Sequence, residues 1–393
     1  TTTFHEGRLY FGGAKSRPNT VFASRVGRFF DFNPGEGLDD DSIEVTLATD
    51  NTNAIVGMFS GRDLQIFTKG GEFFLPQSSL DPITPSNVVI NGATRRGAKE
   101  GIKPVGAESG TLFIQRAGKA LREFLFSDVE LSYISNNISL LSSHLLKNPT
   151  DMALRKATST TDGDLLLLVN ATDGSLATYS ILRGQNVIAP SLSTTDGTFE
   201  KVGVDVDQIY FVIKRTISSS TKYYVECFND DNTTDSSKLL SGGSKPSTTT
   251  VTGLSHLEGK TVKVIADDSM QNDKTVSSGQ ITLDAVPTTY VEIGLDYTPE
   301  VKTLPVELKL SSGNIVAQKK RIIEATCNLY LSQNLTLNGK DFLFTVGSGQ
   351  FFTGKKRRKP MLGFDREGQM TFSQSSPLFF TLLGVEYKVS VGQ

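Results

Sequence analysis

Reactive side chains are scarce. Of 393 residues, three are histidine and two are cysteine. Three histidines are a thin supply for acid–base chemistry, and two cysteines cannot form a disulfide framework. Cys227 and Cys327 each fall in an apolar, strand-like run, which suits small buried hydrophobes. Charge of one sign is lacking too. Forty basic and 42 acidic residues leave a formal charge of −2, so no global excess announces a nucleic-acid or membrane binder. No run approaches the ~18 apolar residues of a membrane span. Gly-x-Ser-x-Gly, His-Glu-x-x-His and Cys-x-x-Cys are all missing. Together these gaps argue against a catalyst and imply no cofactor. The opening residues, Thr1-Thr2-Thr3-Phe4-His5-Glu6, carry no initiator methionine and no signal peptide pattern, as expected of part of a longer chain.

Strand signals are abundant. Hydrophobic residues make up 37% of the chain, enough for a core, with frequent Gly, Ser, Thr, Val and Phe. Residues 164–228 hold six strand-like pieces joined by short turns, two of them at Asp173-Gly174 and Asp196-Gly197. Asp-Gly between alternating runs is a strong hairpin signal, and strands this close in sequence pair antiparallel. Leading apolar strands start near Leu9, Leu64, Leu112, Leu165 and Ile209, in steps of 55, 48, 53 and 44 residues. That spacing suits propeller blades of four strands, with a two-sheet sandwich as the competing arrangement. Residues 137–147 read as a short helix capped by Asn137, with Ile138, Leu141 and Leu145 on one face.

The expected fold is therefore all-β. A propeller-like domain spans 1–235, a low-complexity loop or linker covers 236–253, and an antiparallel sandwich or barrel module covers 254–393. The linker expectation rests on a run of Asp, Asn, Ser, Thr and Gly with few apolar residues. In the last module, Ile323, Ala325, Cys327, Leu329 and Leu331 alternate with polar residues, as do Leu383, Val385, Tyr387, Val389 and Val391. Period two with one apolar face predicts half-buried sheets.

Candidate chemistry is sparse. His256 and Glu258 sit too close in one turn to make a catalytic dyad. Asp39, Asp40 and Asp41 lack the alternating oxygens of a calcium loop. Residues 349–356 nearly spell a phosphate loop, but Lys356 stands where a hydroxyl must meet Mg²⁺. The densest charge is Lys355, Lys356, Arg357, Arg358 and Lys359, with Lys319-Lys320-Arg321 second. These five residues are expected at an exposed hairpin tip left through Pro360. There they are either a solvated face or a contact for DNA phosphates or an acidic neighbour.

A family resemblance runs through these segments. Asp-Gly-Ser-Leu at 173–176, Gln185-Asn186-Val187, Thr195-Asp196-Gly197, Val212-Ile213-Lys214-Arg215 and Tyr224-Val225-Glu226 occur in that order. The order resembles that of tail tubular, or nozzle, proteins of short-tailed bacteriophages. Val187-Ile188-Ala189-Pro190 stands where those families often place a tryptophan. The Ser16-Arg17-Pro18 segment with its aromatic-rich end, and His256-Leu257-Glu258-Gly259, are similar as well. The resemblance implies a structural virion protein, assembled in the host cytoplasm into the tail tube below portal and adaptor. It implies a hexameric ring, tail fibres at its side and DNA passing without sequence specificity. The alternative is a host-surface or glycan-binding adhesin. A propeller glycosidase comes third, since it needs two carboxylates converging on one cleft.

Overall fold

The structure, a computed structural model, describes residues 1–49, 53–76, 82–108, 110–159, 162–307, 309–310, 313–314, 318–344, 347, 349–359 and 363–392. It is nearly all β. The only helices among the described residues are three-residue 3-10 turns, and none is long and apolar enough to cross a membrane. The chain divides into two compact units, Thr1–Thr216 with Thr221–Phe228, and Ile217–Ser220 with Asn229–Gln393.

The first unit is propeller-like. Four consecutive four-stranded antiparallel sheets are followed by a three-stranded one. The strands Arg8–Ala14, Leu64–Thr68, Thr111–Ile114, Asp164–Asn170 and Gln208–Ile217 are each the second strand of their sheet. They are the five leading strands read from the sequence. Alternation explains how the sheets stack. Leu166 and Leu168 point from Asp164–Asn170 into a cluster shared with Leu112 and Ile114 of the third sheet. Leu167 and Val169 point the other way, onto Phe199, Ile209, Phe211 and Ile213 of the fifth. Ile66 and Phe67 likewise split between the first–second and second–third clusters. A strand buried on both faces has no polar side, which is why these runs read as continuous hydrophobics.

All six pieces expected in 164–228 are strands, but they belong to two sheets. Asp173-Gly174 lies in a hairpin. The Asp173 carboxylate accepts from Ser175 N and Oγ, and Gly174 has φ +66°. A Cβ there would come within 2.3 Å of Thr198, so glycine is required. Asp196-Gly197 instead crosses from the fourth sheet to the fifth. The helix expected over 137–147 does not form. Ser132–Asn137 is a strand and only Ser143–Leu145 makes a 3-10 turn, with Leu140 and Leu141 exposed.

Among the described residues, the second unit holds two apolar clusters. One joins the sheet containing Thr261–Ala266 and Tyr290–Leu295 to the Thr250–Thr252 and Gln280–Thr282 pair, through Val251, Val264, Ile281 and Ile293. The other joins Ala325, Cys327 and Leu329 to Leu337 and Phe372 of a second sheet and to Leu335 just before it. The linker expected over 236–253 is corrected: Asp235–Ser241 is a strand paired with Tyr290–Leu295, and Thr250–Thr252 pairs with Gln280–Thr282. Polar bonds anchor this stretch. The buried Glu292 carboxylate accepts from the backbone N–H and hydroxyl of both Thr233 and Thr234. The expected strand over 304–310 is reduced to Lys309–Leu310, and residue 308 lies outside the described residues.

Bulges correct two further expectations. In Lys320–Ser332 the register shifts between Ile322 and Glu324, so Ile322 is buried while Ile323 is exposed. A second shift, between Asn328 and Leu329, leaves Leu382 rather than Leu383 on the core face. Cys327 is buried as expected, but Cys227 is exposed.

Candidate functional site

The cluster Lys355, Lys356, Arg357, Arg358 and Lys359 is not at a hairpin tip. Four of the five lie within the strand Phe352–Arg358, at one edge of a three-stranded sheet, and exposed Lys359 follows. Pro360 lies outside the described residues. The central strand, Lys320–Ser332, sets the direction of each cation. Lys356 stands opposite Cys327 and Arg358 opposite Ala325, both fully buried. Lys355 and Arg357 stand opposite Asn328 and Thr326, on the other face.

The two core-facing cations are held by aromatic rings. Lys356 Nζ lies 4.7 Å from the Phe344 ring centre and 4.5 Å from that of Phe352, and donates to the Leu343 carbonyl at 2.5 Å. Burial pushes its pKa down. Arg358 lies 5.7 Å over Phe342 and donates to the Asp341 carbonyl. These rings give a cation somewhere to go in a sheet, through the ring quadrupole and the apolar lysine stem.

The opposite face is open. Lys355 Nζ meets Glu386 at 2.5 Å and Arg357 meets Glu324 at 3.6 Å. Arg321 and Lys388 fall on this face by register, opposite Ser390 and Glu324. Arg321, Lys355, Arg357 and Lys388 thus share one solvated sheet face with Glu324 and Glu386, and Lys359 lies beside it. An excess of cations on one face attracts a polyanion through its charge, without reading bases. The second basic run behaves differently. Lys320 is only 1% exposed and donates to the Val306 carbonyl at 2.6 Å, so it belongs to the core.

Other expected residues have structural partners. Glu258 accepts from Ser278 N and Gly279 N at 2.8 and 2.6 Å, and His256 Nε2 lies 3.2 Å from the Ser236 carbonyl. The Asp41 carboxylate accepts from the backbone of Glu36, Gly37 and Leu38 and meets Arg25 at 2.6 Å, and so closes its own loop. The backbone bonds, chiefly that of Leu38, hold its pKa below the ordinary value. The near-phosphate loop at 349–356 runs into a strand, not a helix.

Two features had no sequence signal. Buried Arg215 grips Glu226 with two nitrogens, at 2.7 and 2.8 Å, and donates to the Asp196 carbonyl at 2.8 Å. A cavity of about 320 Å³ opens beside Tyr10, Arg8, Glu6, Asp39 and Ile83. Burial drives the Tyr10 hydroxyl to about 12, and Arg8 donates to the carbonyls of Ser24, Asp39 and Asp41. Arg8 is thereby committed to the fold and unavailable to an anion in the cavity.

No family model matches the chain, and no curated protein does. Among solved structures, a chain of an S. cerevisiae complex of Dbp5 with Nup159, Gle1, IP6 and ADP is similar at 10% identity and TM-score 0.32, over 94% of this chain and 86% of that one. An exo-β-1,3-galactanase from Phanerochaete chrysosporium with β-1,3-galactotriose is similar at 8% identity and TM-score 0.26, over 100% and 96%. Likeness at this level carries no argument about function.

Proposed function

We propose that the chain is a structural virion protein of a phage tail, forming with copies of itself the nozzle wall through which DNA leaves. The observation that carries this reading is the exposed basic face of Arg321, Lys355, Arg357 and Lys388. A passing duplex needs charge contact without base readout, and an exposed face of lysines and arginines provides that. The strand order that resembles tail tubular proteins supports it, because the six pieces of 164–228 fold as strands in that order. In this reading the chain is not an enzyme, adaptor and tail fibre proteins are its partners, and the virion is its location.

Electron microscopy of the purified chain tests it. The expected result is closed rings with an open lumen. Single particles at every concentration, with no retention of duplex DNA at low salt, would overturn it and favour the glycan-binding adhesin.

A further inference from the structure

The strand Thr381–Val391 forms one edge of the same three-stranded sheet. It pairs with Lys320–Ser332 on one side, and among the described residues no strand pairs with the other. The strand carries no proline, and past the bulge at Leu383 its eight residues 384–391 each pair in turn with the central strand, a long edge. Natural proteins usually blunt such edges, because a row of free backbone N–H and C=O groups templates another strand.

The side chains along this edge are complementary to themselves. Glu386 and Lys388 are exposed on one face, and Val385, Tyr387 and Val389 are half-buried on the other. An antiparallel second copy centred on Tyr387 brings Glu386 opposite Lys388 and Lys388 opposite Glu386. Val385 then meets Val389 twice on the other face, and Tyr387 meets itself. Sliding by two residues in either direction sets Lys388 against Lys388 or Glu386 against Glu386. Opposite charges directly across a sheet stabilise it and like charges destabilise it, so only one register is favoured.

We propose that a second copy of this chain adds to the Thr381–Val391 edge in that register, forming a continuous six-stranded sheet across a two-fold axis. The contact is isologous, whereas a ring needs a head-to-tail contact, so the proposal does not rest on the nozzle reading.

Sedimentation of the full chain across concentration and salt tests it. The wild type should dimerise. Glu386→Lys or Lys388→Glu alone should raise the dimer Kd about tenfold or more, and the two together should restore it. Melting curves check that each variant is folded. A second measurement fixes the register. In a Cys227→Ser background, Tyr387→Cys should give a covalent dimer on oxidation, because directly opposed residues lie within disulfide reach. Leu383→Cys should not. A chain monomeric at all concentrations, a Kd indifferent to both single substitutions, or equal cross-linking at 383 and 387 would each overturn the proposal.

Discussion

The basic strand separates into two sets of cations with opposite expected behaviour. Replacing Lys356 and Arg358 by Gln removes three cation–π contacts, each about 0.5–1 kcal/mol at a partly exposed site, and two hydrogen bonds to carbonyls, each about 0.5–1.5 kcal/mol. The double variant should therefore lose about 4 kcal/mol. At about 2–4 °C per kcal/mol, melting of the second unit should fall by about 8–16 °C. Replacing Lys355, Arg357 and Lys359 by Gln removes only exposed charges, whose ion pairs contribute about 0–1 kcal/mol each. That triple variant should lose at most about 2 kcal/mol and melt within about 4–8 °C of the wild type, less than the double variant. Its effect belongs to DNA instead. Each phosphate neutralised contributes a slope of about 0.9 to log affinity against log salt, so three lost cations should flatten the slope by about 2–3. Fluorescence anisotropy with a random-sequence duplex between 50 and 200 mM salt reads the slope, at protein concentrations of about 1–100 μM where nonspecific binding falls. An unchanged slope in the triple variant would refute the open-face contact. An unchanged melting temperature in the double variant would refute the aromatic seating.

Three further outcomes follow from hydrogen-bonded carboxylates. Glu226→Ala leaves the guanidinium of Arg215 buried without its bidentate partner and should destabilise the first unit by about 3–5 kcal/mol in urea unfolding, with Arg215→Met/Glu226→Leu recovering much of it. Glu292→Ala strips the acceptor from two backbone and two hydroxyl donors of Thr233 and Thr234 and should cost about 3 kcal/mol or more in the same assay. Partial burial raises the Asp267 carboxyl, but five donors from Thr288, Thr289 and Tyr290 outweigh it and hold the group below its ordinary 3.8. A depressed carboxyl stabilises fully above that value and less as pH falls through its folded value. Asp267→Asn should thus melt below the wild type at pH 7, with the gap closing in melting curves taken below about pH 4.

The strands of the first unit were legible because their second strands are buried on both faces. Leu165, Leu166, Leu167, Leu168 and Val169 leave no doubt about where a strand sits, and the recurrence of such runs revealed the sheet repeat. Polar anchoring was illegible. The strand Asp235–Ser241 reads as a linker because Glu292, 51 residues beyond its last residue, is what fixes its start. Bulges were illegible as well: one extra residue between Ile322 and Glu324 reverses the facing of Ile323, and a period-two reading cannot see it. The basic run was found by composition alone. Its placement depended on Phe342, Phe344 and Phe352, whose rings could be assigned to Lys356 and Arg358 only once the register was known.

The apolar clusters of the first unit each join one sheet to the next in chain order, and among the described residues none joins the fifth to the first. Its cooperativity is therefore that of a row rather than a closed circle. Opening one sheet disrupts only the clusters it shares with its neighbours, so an end sheet gives up one cluster and an inner sheet two. Amide exchange should be fastest in the three-stranded fifth sheet and slowest in the second to fourth, where both faces are covered. Under a pulling load, such a row yields sheet by sheet from its ends and dissipates work in several small steps rather than one large rupture.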